Sequence, residues 1–176
     1  MTLPTSLTDL YLWGFQKLIS LSSTGFQSLN SLRDLSIKLC PNLVSFPEEG
    51  FPTNLTSLTI GCDDEAECFP DEEIGMTLPT SLTHLSFWGF QKLIFLSSTG
   101  FQSLTSLQSL RIWNCPNLTS FPEVGLPSSL LDLYIRDCPK LKRACKRDEG
   151  KEWSKIAHIP CVQIDGKFMY DPELEE

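Results

Sequence analysis

Apolar residues recur along the chain in the short pattern Leu-x-x-Leu-x-apolar, which occurs six times. In each occurrence the last two apolar residues alternate with other residues, and this period of two is typical of a β-strand with one buried face. The pattern therefore predicts six short strands, one in each repeat. The central leucines of these strands lie 23 to 27 residues apart, at Leu10, Leu35, Leu58, Leu85, Leu110 and Leu133.

The residues after each strand indicate how the chain returns to the next one. A Cys or Phe followed by a Leu, such as Cys40 and Leu43, comes after most strands, and we expect both side chains to point inward. The stretches 46–50 (FPEEG) and 121–125 (FPEVG) contain Pro and Gly, so irregular backbone is expected there. One strand every 23 to 27 residues is the period of leucine-rich repeats. The predicted fold class is α/β, a leucine-rich-repeat solenoid: an arc with a parallel concave β-sheet and an irregular convex side.

A change of pattern after the sixth repeat predicts two regions. Residues 1–141 hold the six leucine-rich repeats, and residues 142–176 form a C-terminal cap with a closing strand and an acidic tail. Within the cap, residues 159–164 alternate between apolar and other residues, so we expect a strand that lies beneath the sheet. Trp153 and Ile156 should then cover the end of the core.

Residues 1–61 and 76–136 are two copies of one segment, and they differ at 19 positions. In strands of this type, three side chains point away from the core: those before, between and after the last two apolar residues. Eight of the nine pairs of such positions differ between the copies, whereas loop residues expected to be exposed, such as Gln16, Lys17 and Ser22, recur unchanged. We interpret this contrast as diversification of a binding face. The alternative is relaxed drift at exposed positions.

The residue types on that face are those of a protein-binding surface. Trp, Tyr and Arg dominate interface hot spots, and three of the four tryptophans fall on this face. Trp88 and Trp113 should be neighbours; the alternative is that the rings pack on one another and on adjacent strands. The predicted partner-binding residues are Asp9, Tyr11, Trp13, Asp34, Lys38, His84, Trp88, Arg111, Trp113, Asp132, Tyr134 and Arg136.

The charge and composition of the chain argue against several classes of function. The net charge of −8 argues against a general nucleic-acid binder. The sequence also has no run of 18 apolar residues, so no membrane span is predicted. The first residues, MTLPTSLT, lack the basic start and apolar segment of a signal peptide. The first repeat begins at Leu3 without a polar cap over its core edge, so we expect the C-terminal part of a longer protein or a truncated gene product.

The seven cysteines favour a reducing compartment, and therefore a cytoplasmic location. Cys40, Cys115 and Cys138 occupy the same repeat position, which predicts small buried side chains rather than disulfides. Two Asn-x-Thr sequons, at Asn54 and Asn117, leave a secreted or cell-surface protein as the alternative.

Two stretches carry concentrated charge. Residues 61–75 contain seven acids without the spacing of a calcium loop, so we expect a solvated acidic loop. Residues 140–155 hold seven of the fourteen basic residues. We interpret them as the solvated face of an amphipathic cap, and the alternative is an electrostatic docking site for an acidic partner.

No catalytic or metal centre is predicted. The spacing of Cys138, Cys145, His158 and Cys161 fits no standard zinc site, and Cys62 and Cys68 are also wrongly spaced. A Cys–His nucleophilic pair would lack an orienting third group and an oxyanion pocket. The chain is therefore expected not to be an enzyme.

Several motifs resemble one protein family. They are CPNLxSFPExG at 40–50 and 115–125, LYIRDCPKLK at 133–142 and, most specifically, GKEWSKIAHIPCVQIDG at 150–166. Together they resemble the C-terminal leucine-rich-repeat domain of plant intracellular disease-resistance proteins, in the class of coiled-coil nucleotide-binding immune receptors. The resemblance covers essentially the whole chain.

The resemblance implies a non-catalytic module for protein recognition and autoinhibition in plant defence. Such a module would bind a pathogen effector or a guarded host protein through its concave face and, within a longer receptor, would contact the nucleotide-binding domain. The chain has no G-x-x-x-x-G-K-[ST] phosphate loop and no coiled-coil heptads, so no cofactor is predicted for it. The alternatives are a secreted or cell-surface leucine-rich-repeat binding protein and a non-functional truncated receptor fragment.

Overall fold

The protein is described by a computed structural model, which covers residues 3–21, 25–26, 28–43, 47, 50–61, 67–70 and 77–170. The strands are β1 (Asp9–Trp13), β2 (Asp34–Lys38), β3 (Ser57–Gly61), β4 (Cys68–Phe69), β5 (His84–Trp88), β6 (Phe95–Leu96), β7 (Ser109–Trp113), β8 (Asp132–Arg136), β9 (Cys161–Ile164) and β10 (Lys167–Phe168). The helices in the described part are short: α1 (Ser98–Gln102), α2 (Pro139–Ala144) and α3 (Trp153–Ile156).

One eight-stranded sheet, in the order β1-β2-β3-β5-β7-β8-β9-β10, organises the chain. Each repeat strand pairs in parallel with the next, and equivalent residues stand opposite one another. The six central leucines therefore form a single row across the sheet. The six predicted repeat strands and their common register are confirmed, and the architecture is mixed α/β with a mostly parallel sheet.

The alternation of apolar residues in each strand places one face of the sheet on the core. Leu35 and Ile37 of β2 are fully buried, as are Leu110 and Ile112 of β7. Burying a side chain of this size contributes about 1.5–3 kcal/mol relative to leaving it exposed. Each strand therefore stabilises its neighbours through the two apolar residues that it contributes.

A left-handed residue ends most of the repeat strands and turns the chain away from the sheet. It is Gly at positions 14 and 89, but Leu39, Asn114 and Asp137 also have φ between 52° and 54°. The amide at this position extends the sheet ladder by one bond: Gly14 donates to the carbonyl of Lys38 at 3.0 Å, and Gly89 donates to that of Trp113 at 3.0 Å. Gly tolerates this conformation because it has no Cβ, and Asn and Asp because their short polar side chains can hydrogen-bond locally, whereas Leu is strained in it.

The residue after the turn points into the core, as predicted, in most of the repeats. Cys40, Cys115 and Cys138 are buried, and so is Phe90 in the fourth repeat. Phe15 in the first repeat is an exception, because half of its side chain is exposed. It lies in the repeat at the edge of the sheet, where no preceding strand of the described residues covers it, so the inward prediction is wrong at this position.

A second, two-stranded ladder runs behind the main sheet, where β4 pairs in parallel with β6. Phe69 of β4 is buried, and its ring meets that of Phe87 edge-on at 4.5 Å between centroids. Pro70 is also buried and packs on Gly100. The prediction of a solvated loop is therefore wrong at Phe69 and Pro70, since apolar contacts hold them in the core. Residues 62–66 and 71–75 of that stretch lie outside the described residues.

The cap extends the sheet instead of lying beneath it. β9 pairs in parallel with β8 at the sheet edge, and β10 then turns back antiparallel along β9. The predicted closing strand exists, but its predicted place beneath the sheet is wrong, because its main chain completes the hydrogen bonds of β8. Ile156 is fully buried, and Trp153 packs partly against the core. Residues 171–176 of the predicted acidic tail lie outside the described residues.

A buried carboxylate attaches the cap to the fifth repeat. Glu152 accepts a hydrogen bond from the amide of Phe121 at 2.8 Å and forms an ion pair with Lys155 at 3.0 Å. The side chain of Glu152 is buried, and a buried carboxylate needs such partners to offset its loss of hydration.

Candidate recognition surface

The side of the sheet opposite the core, which we call the open face, carries all twelve predicted partner-binding residues. The parallel register arranges its side chains in three columns that cross the strands. The N-terminal column is Asp9, Asp34, Ser57, His84, Ser109 and Asp132. The middle column is Tyr11, Ser36, Thr59, Ser86, Arg111 and Tyr134. The C-terminal column is Trp13, Lys38, Gly61, Trp88, Trp113 and Arg136.

Exposure differs strongly within these columns. Trp13 is 72% exposed, Tyr11 64% and Trp113 37%, so these rings are accessible. Ser36 and Ser109 lie on the same face but are buried, so a place on this face does not by itself make a small side chain accessible.

Trp88 packs partly onto the neighbouring strand. A Cβ placed on Gly61 would lie 2.8 Å from Cε3 of Trp88, so the missing side chain at position 61 makes room for the indole. Trp88 and Trp113 are neighbours on β5 and β7, as predicted. Packing on an adjacent strand, the alternative considered for the tryptophans, therefore applies to Trp88.

Two grooves open on this face and meet at Arg111 and Trp113. One has a volume of about 310 Å³ and lies between Trp13, Trp88 and Trp113. The other, of about 540 Å³, extends from Arg111 past Tyr134 to the cap. The guanidinium of Arg111 lies 5.4 Å from the centre of the Tyr134 ring, a cation–π contact that holds it between the two grooves.

Charge is segregated between the columns, a feature that the sequence analysis missed. The N-terminal column has three aspartates and no Lys or Arg, whereas the C-terminal column has Lys38 and Arg136 and no acid. The sequence contains this signal, since each charged residue of these two columns stands at the first or last outward position of its strand. It becomes visible only when equivalent positions of all six strands are compared.

The aspartates also affect the tyrosines beside them. Asp34 is the main cause of the raised pKa of Tyr11, and Asp132 is the main cause of the raised pKa of Tyr134. Both hydroxyls are protonated at neutral pH, and that of Tyr134 also forms a side-chain hydrogen bond with Cys161.

The invariance of the loop residues has a partly structural cause. Ser97, the counterpart of Ser22, is buried rather than exposed, so packing constrains it. Gln91 and Lys92, the counterparts of Gln16 and Lys17, are exposed and still unchanged. Ser22 itself lies outside the described residues.

The cysteines and histidines do not assemble into a reactive site in the described part of the chain. No group of three metal-binding side chains stands close enough there to share an ion. Burial is the main cause that raises the pKa of Cys145 to about 12, so this thiol is not a thiolate at neutral pH.

The basic stretch of the cap engages nearby partners. Lys142 forms an ion pair with Asp165 at 2.6 Å, and Lys140 donates to the side-chain oxygen of Asn117 at 2.7 Å. The hydrogen bond from Lys142 is the main cause that lowers the pKa of Asp165. These contacts agree with the interpretation of the stretch as a solvated cap face.

The two sequon asparagines have structural roles in the fold. Asn54 donates its side-chain amide to the carbonyl of Asn30 at 2.8 Å, and Asn117 donates to that of Gln91 at 2.7 Å. A glycan on either nitrogen would replace one of its two hydrogens and place a bulky group beside a contact between consecutive repeats. These bonds therefore weigh against the alternative of a glycosylated secreted protein.

Several known proteins are similar to this chain in sequence. No protein-family model matches the chain. A putative disease resistance protein of Arabidopsis thaliana is 33% identical over 148 residues, which is 82% of this chain and 10% of that protein. The probable disease resistance protein RF45 of the same plant is 30% identical over 166 residues, covering 81% of this chain and 16% of that protein. The disease resistance protein RPP4 is 25% identical over 80% of this chain.

This chain is homologous to plant disease resistance proteins. The resemblance that the motifs indicated is thereby confirmed. The chain spans 10% to 16% of the length of these curated relatives, so it corresponds to a small part of each of them. Within the described residues, no helix has the length and apolar character needed to cross a bilayer.

Proposed function

We propose that this chain is a non-catalytic recognition module of a plant immune receptor, working in the cytoplasm as part of the defence response. In this proposal the sheet lines a leucine-rich-repeat arc whose concave side is the open face. That face binds a pathogen effector or a guarded host protein, and in a longer receptor it also takes part in autoinhibition through the nucleotide-binding domain. The module itself uses no cofactor.

The observation that carries the proposal is the distribution of differences between the two copies. Eight of the nine paired positions on the open face differ, and only the tryptophan pair at positions 13 and 88 is unchanged. The fully buried leucines of the core recur unchanged over the same two segments, for example Leu35 and Leu110. A scaffold that stays constant while its exposed sheet residues change is what selection for altered binding produces.

The test exchanges open-face residues between the copies. Four substitutions give the second copy the identities of the first: His84→Asp, Ser86→Tyr, Arg111→Ser and Trp113→Lys. The protein is expressed in plant tissue, and the proteins recovered with it are quantified by mass spectrometry. We expect recovery of the specific partner to fall at least tenfold, because accessible aromatic and Arg side chains dominate interfaces.

A matched control also takes first-copy identities, but at exposed positions outside the sheet: Thr105→Asn, Val124→Glu and Ser128→Thr. These surface changes should alter stability by no more than about 0.5 kcal/mol and leave partner recovery unchanged. Thr119 would be unsuitable as a control, because its hydroxyl donates to the carbonyl of Ile94 at 3.1 Å. If both sets change recovery equally, the open face is not the site, and drift explains the differences.

A further inference from the structure

We propose that the partner presents an acidic segment with at least one apolar side chain, which lies across the strands over the middle and C-terminal columns of the open face. This inference rests on the proposed function, since it names the chemistry of the partner at the same surface. Four features of the described residues support it: the separation of charge, the state of Arg111, the aromatic groove, and the junction of the two grooves.

The charge of the C-terminal column is favourable to carboxylates. Lys38 and Arg136 lie in this column, and none of its six positions is acidic. The aspartates of the N-terminal column are four residues earlier along each strand, a separation of ~13 Å. That exceeds the Debye length of about 8 Å at physiological salt. An acidic side chain at the C-terminal column is therefore attracted locally and only weakly repelled by the aspartates of the N-terminal column. Two other acids, Asp137 and Asp165, line the larger groove, and they form ion pairs with Arg136 and Lys142.

The overall charge of −8 does not oppose this arrangement, because half of the acids lie away from the sheet strands in the sequence. The segments 61–75 and 171–176 together contain eleven of the 22 acidic residues. The part of the chain that forms the open face is consequently much less acidic than the whole.

Arg111 is the cation best placed to bind a carboxylate. Among the described residues it forms no ion pair, and its guanidinium is held against Tyr134. Arg136, which shares the larger groove, has a loose ion pair with Asp137 at 3.5 Å, and both side chains are largely exposed. An ion pair of this kind contributes little, so Arg136 can exchange it for another carboxylate. The planar guanidinium of Arg111 favours two parallel hydrogen bonds to a carboxylate.

The smaller groove suits an apolar side chain. Its walls include Trp13, Trp88 and Trp113, with Lys38 at one side. Large aromatic side chains of this kind provide the central contacts of protein interfaces, and the aliphatic part of Lys38 can cover an apolar group.

The two grooves share Arg111 and Trp113, so one continuous segment can occupy both. Adjacent strands are ~4.8 Å apart, which places neighbouring binding positions within one or two residues of an extended peptide. An acidic residue at Arg111 would then be followed closely by an apolar residue in the aromatic groove.

The experiment selects binders from a random dodecapeptide library displayed on phage, with the whole chain as bait. We expect the recovered peptides to be enriched in Asp or Glu next to a large apolar residue. The same selection with the double variant Arg111→Gln, Arg136→Gln should lose the acidic enrichment. Arg147→Gln is the matched control, because it removes an Arg from an exposed ion pair with Asp148 in the cap, and it should select the same peptides as the native chain.

One selected peptide is then synthesised with a fluorophore, and its affinity is measured by anisotropy. Each single variant, Arg111→Gln and Arg136→Gln, should weaken binding at least fivefold, and a peptide with Lys in place of the acids should bind at least tenfold more weakly. Raising the salt from 50 to 200 mM should weaken the native complex, because exposed ion pairs are screened.

Three outcomes would overturn the inference. Selected peptides could be basic or uncharged, or the Arg variants could bind as the native chain does. The third is a tenfold gain in affinity on removal of residues 171–176, which would assign the surface to the acidic tail of the chain itself.

In the first two cases, a partner that is still lost with the open-face exchange would leave the proposed function intact. A partner unaffected by that exchange would count against the proposed function alone.

Discussion

The first and fourth repeats have almost the same sequence but different places in the sheet. Residues 3–29 and 78–104 differ at four positions, yet Phe15 is 51% exposed and Phe90 only 1%. The first repeat forms the edge of the sheet, and the fourth lies between strands on both sides. The burial of a side chain in this protein therefore depends on its neighbours in the stack as well as on its own repeat, as expected for repeat architectures.

The largest effect is expected on stability, when the same substitution is made at each of the two equivalent phenylalanines. Phe90→Ala should destabilise the protein by about 3–5 kcal/mol, because it leaves a cavity beside Phe69 and Phe87. Phe15→Ala should cost no more than about 1 kcal/mol, since half of the ring is already in water. Urea unfolding of both variants measures the difference. Equal losses of stability would show that the two repeats are equally well packed.

The second prediction compares two equivalent amides by hydrogen exchange. Gly14 and Gly89 donate to the next strand with the same bond length of 3.0 Å, so bond geometry does not distinguish them. The Gly14 amide should nevertheless exchange at least about 100-fold faster, because the edge repeat opens with fewer apolar contacts to break. NMR measures the exchange of both amides. Similar protection would show that the edge repeat opens no more easily than the fourth repeat.

The smallest effect concerns the left-handed turn, where the copies differ. Leu39 has φ of 53° and its counterpart Asn114 has φ of 52°. Leu39→Asn should stabilise the protein by about 0.5–1 kcal/mol, since Asn tolerates this conformation better than Leu. The reverse substitution, Asn114→Leu, should destabilise by a similar amount. A Leu39→Asn variant that is less stable than the native chain would show that contacts of the Leu39 side chain outweigh the backbone strain.

Much of the fold could be predicted because its main signal is local. The alternation around Leu35 or Leu110 identifies the strand, the inward face and the open face together, and the repeat spacing then aligns the strands. The open-face residues followed directly from this register. The predicted concave curvature and the binding role of that face remain predictions.

The parts that could not be predicted depend on contacts between distant residues. Phe69 stands in an acidic stretch, and only its packing on Phe87 and Phe90 shows that it belongs to the core. Glu152 has the sequence context of a solvated charge, and its burial depends on the amide of Phe121. Alternation in residues 159–164 predicted a strand but contained no information about which edge of which layer it would join.

The common register of the repeat strands has a consequence for how such a gene changes. Two similar segments 75 residues apart are a substrate for unequal crossing-over, which would delete or add a block of three strands. Every strand presents the same row of leucines to its neighbours, so the enlarged or shortened product would keep a continuous core. The open face would lengthen or shorten by ~14 Å in a single generation. This architecture therefore allows large steps in the size of a surface as well as gradual substitution within it.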